Sequence, residues 1–191
     1  YCTVFLNISK EESMTAFTTE KIDVEPWFDM ELFMGVSQET RLGGDVIDRF
    51  MTLWKNWLPH LTVKGIDTGK IKYLLVALDE SVEQDVDKAW EVSPSNAFLY
   101  NALAQTMCMA AVHAVIPEVQ DAGCAPAPKP TATLREALEA EGIPYSNDKD
   151  PILSRRYAVV THYPFKGGCE ICVLQSNCPK GQGQMEATSV V

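Results

Sequence analysis

The sequence predicts a mainly α fold: a helical bundle that ends in a cysteine-rich metal or cluster loop. Three stretches carry that expectation. Over residues 44–58, Val46, Ile47, Phe50, Leu53, Trp54 and Trp57 recur at helical spacing, and Asp45 with Arg49 forms an i,i+4 pair. Over about 70–92, Ile71, Leu74, Leu75, Leu78, Val82, Val86 and Trp90 fit a 3.6-residue period. Ser93-Pro94 then gives a cap and first-turn signal for a third helix reaching about residue 116. That helix is apolar nearly all round, which makes it the expected centre of the fold.

The remaining elements follow in chain order. Residues 1–13 read as a flexible or non-native leader, with Met14 as an alternative start that would leave Cys2 without a role. A short helix is expected after Pro26, packing as a lid with Trp27, Phe28, Leu32 and Phe33 facing inward. Residues 61–69, with two glycines, read as a connector. Residues 71–78 also fit a buried strand, a choice that periodicity leaves open. Asp79, Glu80, Glu83, Asp85 and Asp87 read as a solvated acidic face. Pro117 kinks or restarts the third helix, and Gly123 terminates it. Cys124 opens a proline-rich linker, semi-rigid by composition. Thr133-Leu-Arg-Glu136 has the form of a capping box for a short helix ending at Gly142. Residues 152–163 fit helix or strand, with 157–161 strand-like in composition. The expected organisation is a helical domain over 14–123, a segment over 124–180 packed on it, and a polar, frayed tail over 181–191.

Composition narrows the function. The 191 residues suffice for one domain with a hydrophobic core, 46% of them being hydrophobic. A formal net charge of −10, with only 16 Lys and Arg, argues against a general nucleic-acid binder, because phosphate backbones demand a cationic surplus. Nothing approaches an 18-residue apolar run, so no transmembrane helix is expected. No P-loop, dinucleotide fingerprint, nucleophile elbow or zinc-protease motif is present. Six cysteines in a chain read as cytoplasmic then point to metal chemistry before disulfides.

Cys169, Cys172 and Cys178 form the pattern C-x2-C-x5-C, preceded by Gly167-Gly168 and followed by Pro179. Two residues between cysteines turn the chain back so that both sulfurs face one centre. The five-residue gap allows a further turn around something larger than one ion. Structural zinc usually pairs two short ligand knuckles, and only one is present. Three clustered cysteines plus a remote ligand suit a [4Fe–4S] cubane, with zinc the alternative. Cys124 is the expected fourth ligand, because it lies on a turn after the Gly123 helix stop. His162, six residues ahead of Cys169, is the alternative. Cys108, mid-helix among methionines and alanines, reads as a structural thiol, and His113 in the same helix as a core histidine.

The run Cys-Glu-Ile-Cys-Val-Leu-Gln-Ser-Asn-Cys resembles the cluster loop of the endonuclease III and adenine-glycosylase family, which has C-x6-C-x2-C-x5-C around a [4Fe–4S] cluster. It also resembles the C-x2-C-x5-C that closes RecB-type nucleases, whose fourth cysteine lies far upstream. The likeness covers about residues 162–180 and implies a cluster. His162 stands where the glycosylases have their first cysteine. No L-P-G-x-G helix-hairpin-helix precedes it, so the glycosylase fold and reaction are not carried over. The expected function is an iron–sulfur cluster-binding protein, redox or accessory, serving a protein redox partner. The alternative is a zinc- or cluster-containing structural domain of a nucleic-acid-processing enzyme.

Overall fold

A computed structural model describes residues 16–147 and 150–178. The leader, Met14 and the 181–191 tail lie outside the described residues. Four strands and six helices appear among the described residues: β1 (Thr18–Lys21), α1 (Met30–Ser37), α2 (Gly44–Trp57), β2 (Leu61–Asp67), β3 (Lys72–Leu78), α3 (Glu80–Val92), α4 (Pro94–Val115), α5 (Pro117–Ala122), α6 (Ala132–Ala140) and β4 (Ala158–His162). The strands make one antiparallel sheet in the order β1-β2-β3-β4. The mainly α expectation is therefore wrong: this is a mixture of helices and sheet, not a helical bundle.

The error has a physical cause in β3. Leu74, Val76 and Leu78 point into one core with the α1–α4 side, while Tyr73, Leu75 and Ala77 point into a second core under α6. A strand buried on both faces loses its polar alternation and reads as a continuous apolar run. Leu74, Leu75 and Leu78 then align by chance with Val82 and Val86, which belong to the next helix. The boundary is nevertheless written at Asp79. Its side chain accepts from the Ser81 backbone N–H at 2.9 Å, capping α3. The expected connector is in fact β2 and the hairpin turn after it. In that turn Gly69 adopts φ +75° and donates to the Asp67 carboxylate at 2.8 Å.

Both covering layers follow from amphipathic faces. α2 buries Phe50, Trp54 and Trp57, as its spacing predicts. α4 packs against α1, α2, α3, α5, β3 and β4, and so occupies the centre expected of it. By length and composition alone α4 would cross a membrane; its place inside the helical layer accounts for the same apolarity. On the opposite face α6 contributes Leu134, Ala137 and Leu138 against Ile66, Leu75 and Val160. Each of the larger aliphatic side chains stabilises the fold by about 1.5–3 kcal/mol on full burial.

Smaller expectations divide. Pro117 restarts the helix and Gly123 ends it at φ +69°. The α6 cap is Thr131, whose hydroxyl accepts from Leu134 N–H at 3.3 Å; Thr133 lies inside the helix. The lid helix begins at Met30, capped by Asp29. Phe28 and Phe33 join Phe50 and Trp54 in an aromatic cluster with centroid separations of 4.9–6.3 Å, but Trp27 is 72% exposed rather than inward. The acidic face of α3 is partly occupied. Arg156 grips Asp87 at 2.7 and 3.3 Å, its backbone N–H meets Glu83 at 2.9 Å, and Asp85 accepts from Trp57 Nε1 at 3.1 Å. The Arg156 contacts, with Arg155 3.9 Å from Glu83, seat residues 155–156 on α3 just before the chain enters β4.

Candidate metal centre

The cysteine loop is built from tight turns. Main-chain N–H groups of Ile171, Cys172, Gln175, Asn177 and Cys178 each donate to the carbonyl three residues back, at 3.0–3.4 Å. Short 3-10 turns result at Cys169–Ile171 and Gln175–Asn177. Such a turn has three residues, so side chains at i and i+3 eclipse. Cys169 and Cys172 close the first turn together, and Gly167, at φ +58°, supplies the entry bend.

Exposure along the loop runs against hydrophobicity. Cys169, Cys172 and Cys178 are half-buried, whereas Ile171, Val173 and Leu174 are 42%, 41% and 39% exposed. A loop folded only to hide apolar surface would do the reverse. The inward surface meets the linker that Cys124 opens. Ala127 donates its backbone N–H to Cys172 Sγ at 3.4 Å, and Val173 N–H donates to the Ala127 carbonyl at 3.1 Å. The linker is itself pinned to the sheet, because the buried Thr161 hydroxyl on β4 donates to the Pro126 carbonyl at 3.0 Å. Pro126 and Pro128 are buried. The order is thus β4, linker, cysteine loop, held by backbone groups that no sequence motif marks. Only the prolines, which stiffen the linker, hint at it.

The two cysteines of the described chain outside the loop divide by position. Cys124 is half-buried three residues before Ala127, at the start of the docked linker. Cys108 is 2% exposed in the core and donates to the Tyr157 carbonyl at 3.5 Å. Burial pushes its thiol up to about 12 from an ordinary 9.0. Such full burial is the setting of a structural thiol. Because the folded-state value is raised, the stability Cys108 contributes is complete below pH 9.0 and is lost as pH rises from 9.0 through about 12. Urea unfolding across that range should show a steeper alkaline decline for the parent chain than for Cys108→Ala.

His162 ends β4 opposite Tyr73, with ring centroids 5.5 Å apart. Its Nδ1 is buried and has no hydrogen-bond partner among the described residues. Burial, and secondarily Lys166, lowers its pKa, so the imidazole is neutral at neutral pH. Donor chemistry and N–H-to-sulfur bonding fit a thiolate-held centre. Side-chain convergence does not yet do so: among the described residues no three His, Cys, Asp or Glu side chains come together as a metal-holding group.

One further trio has catalytic residue types. His60 Nδ1 lies 2.6 Å from Asp79 Oδ2 and 3.2 Å from Ser81 Oγ, and Ser81 also bonds Asp79. Both partners meet the same ring nitrogen, so no proton path runs from Ser81 through His60 to Asp79. Burial opposes the Asp79 charge, but hydrogen bonds from Ser81 and His60 outweigh it and hold the carboxyl below its usual value. The trio anchors the start of α3.

Fold and site together define a mixed α/β domain with a cysteine loop docked on its sheet through a proline-rich linker. No family model, curated protein or solved structure matches the chain.

Proposed function

We propose that this chain is an iron–sulfur cluster-binding protein in which Cys169, Cys172 and Cys178, with Cys124, hold a [4Fe–4S] cluster. The observation that carries the reading is the inverted exposure of the loop: its three cysteines are half-buried, Cys172 bonded to the Cys124 linker at Ala127, while the aliphatic side chains are exposed. The Ala127 N–H to Cys172 Sγ bond is of the kind that stabilises thiolate charge and tunes a cluster's potential. Cys124 ranks ahead of His162 because cubane ligands are usually thiolates and because Cys124 begins the docked segment. The role is redox or accessory in a reducing, cytoplasmic setting. A surface cluster is reachable by a protein redox partner, for which Ile171, Val173 and Leu174 supply an apolar contact beside the sulfurs. The pinned linker favours a second reading, in which the centre, cluster or zinc, is only a structural clip.

Protein purified without oxygen should be brown and carry about four iron and four sulfide per chain. Stoichiometric zinc in a colourless protein would transfer the reading to a structural zinc site. Cys124→Ser should lose iron and visible absorbance while His162→Ala keeps both; the opposite pattern makes His162 the fourth ligand. A reversible low potential separates the redox role from the clip.

A further inference from the structure

Of the three tryptophans in the aromatic region before β2, two spend their indole N–H on the protein. Trp54 donates to the Pro26 carbonyl at 3.1 Å and Trp57 to Asp85. Trp27 does neither: it is 72% exposed, and no described residue bonds its Nε1. It is one of the residues lining an open cavity of about 90 Å³ beside α1, the end of α4 and α5. Leu32, Ala110 and Ala114 give that lining its apolar part. Asp29, His113 and Gln120 give it its polar part.

These polar groups are unspent. Asp29 uses Oδ1 to cap α1, accepting from Glu31 and Leu32 N–H at 2.9 and 3.1 Å, and leaves Oδ2 uncommitted among the described residues. The His113 ring and the Gln120 amide have no hydrogen-bond partner among the described residues. Burial lowers the His113 pKa, partly offset by the Asp29 charge, so the ring is a neutral acceptor at neutral pH. The lining therefore holds one negative charge, an indole ring, two neutral acceptors and no Lys or Arg.

We propose that this cavity binds a guanidinium or amidinium group, a small planar cation. A planar cation lies against an indole face and gains about 0.5–2 kcal/mol from it. A guanidinium brings several N–H donors in a fixed plane, matching Asp29 Oδ2, His113 and Gln120, where a compact ammonium matches only a point. The source is either a free guanidino compound or an arginine side chain of a peptide.

The test is a titration of the full chain with ethylguanidinium, free arginine and acetyl-arginine amide, followed through the indole N–H signals in NMR. Trp27→Phe assigns the Trp27 signal. A saturable shift of that signal is expected, with affinity reduced about tenfold or more in both Trp27→Ala and Asp29→Asn. Asparagine retains the α1 cap, so the second variant removes charge and not the helix start. Tighter binding of acetyl-arginine amide than of free arginine assigns the site to peptides, and the reverse order assigns it to free guanidino compounds. Urea binding as tightly as ethylguanidinium would overturn the proposal. So would ethylammonium doing the same, unchanged affinity in both variants, or the absence of any saturable shift.

Discussion

Trp57→Ala should destabilise the chain by about 3–5 kcal/mol, read as a fall in the midpoint of urea unfolding. Trp57 is 1% exposed and touches Tyr100 edge-on at a centroid separation of 6.5 Å, so its removal leaves an indole-sized void beneath α4. The loss is large against the 5–15 kcal/mol that typically separates folded from unfolded domains. Trp57→Phe refills most of the volume and gives up the bond to Asp85, for a smaller loss of about 1–2 kcal/mol. Trp27→Ala is the control, expected within about 0.5 kcal/mol because the ring is already in water. Equal losses at Trp57 and Trp27 would show that the helical layer does not pack on the sheet as described.

Cys172→Ala should abolish the bound centre. The substitution removes one proposed ligand and also the sulfur that accepts from Ala127, so it strikes both the metal and the docking of the loop. Metal content and visible absorbance after anaerobic purification should fall to background. Tryptic cleavage at the exposed Lys166 should quicken as the loop loosens. Cys108→Ala supplies the contrast: a full complement of metal, with stability lowered by about 1–2 kcal/mol through core packing alone. Cys172→Ala protein that retains the parent's metal would remove the loop from the candidate site.

Legibility in the sequence tracked how one-sided each element's surroundings are. α2 has one buried face and one wet face, and its period could be read directly. α4 was legible as central because a helix apolar on every side needs packed neighbours on every side. β3 was not, because burial on two faces erases the alternation that separates strand from helix. Trp27 was misplaced for a related reason: hydrophobicity predicts burial on average and says nothing about one residue at the edge of a layer. The cysteine loop was legible as a candidate metal site through its composition and spacing. Its docking depends on Ala127 and Pro126 main-chain atoms, which carry the same hydrogen-bonding groups in almost any sequence and so leave no trace in it. The strand-like composition of residues 157–161 was correct in type, but its place beside β3 is a long-range pairing that local composition does not encode.

That pairing has a consequence for synthesis. β3 is complete at Leu78, while the strand that covers its outer edge begins only at Ala158. At about 5–20 residues per second, a ribosome takes on the order of several seconds to make the intervening chain. Throughout that interval the segment Lys72–Leu78, Lys-Tyr-Leu-Leu-Val-Ala-Leu, presents unpaired backbone along one side. It is short, apolar, nearly uncharged and free of proline, the profile of segments that pair edge to edge with their own copies. A nascent or truncated chain ending before Ala158 therefore carries an open template for self-association. Among the described residues, the last strand to be made is the one that closes it.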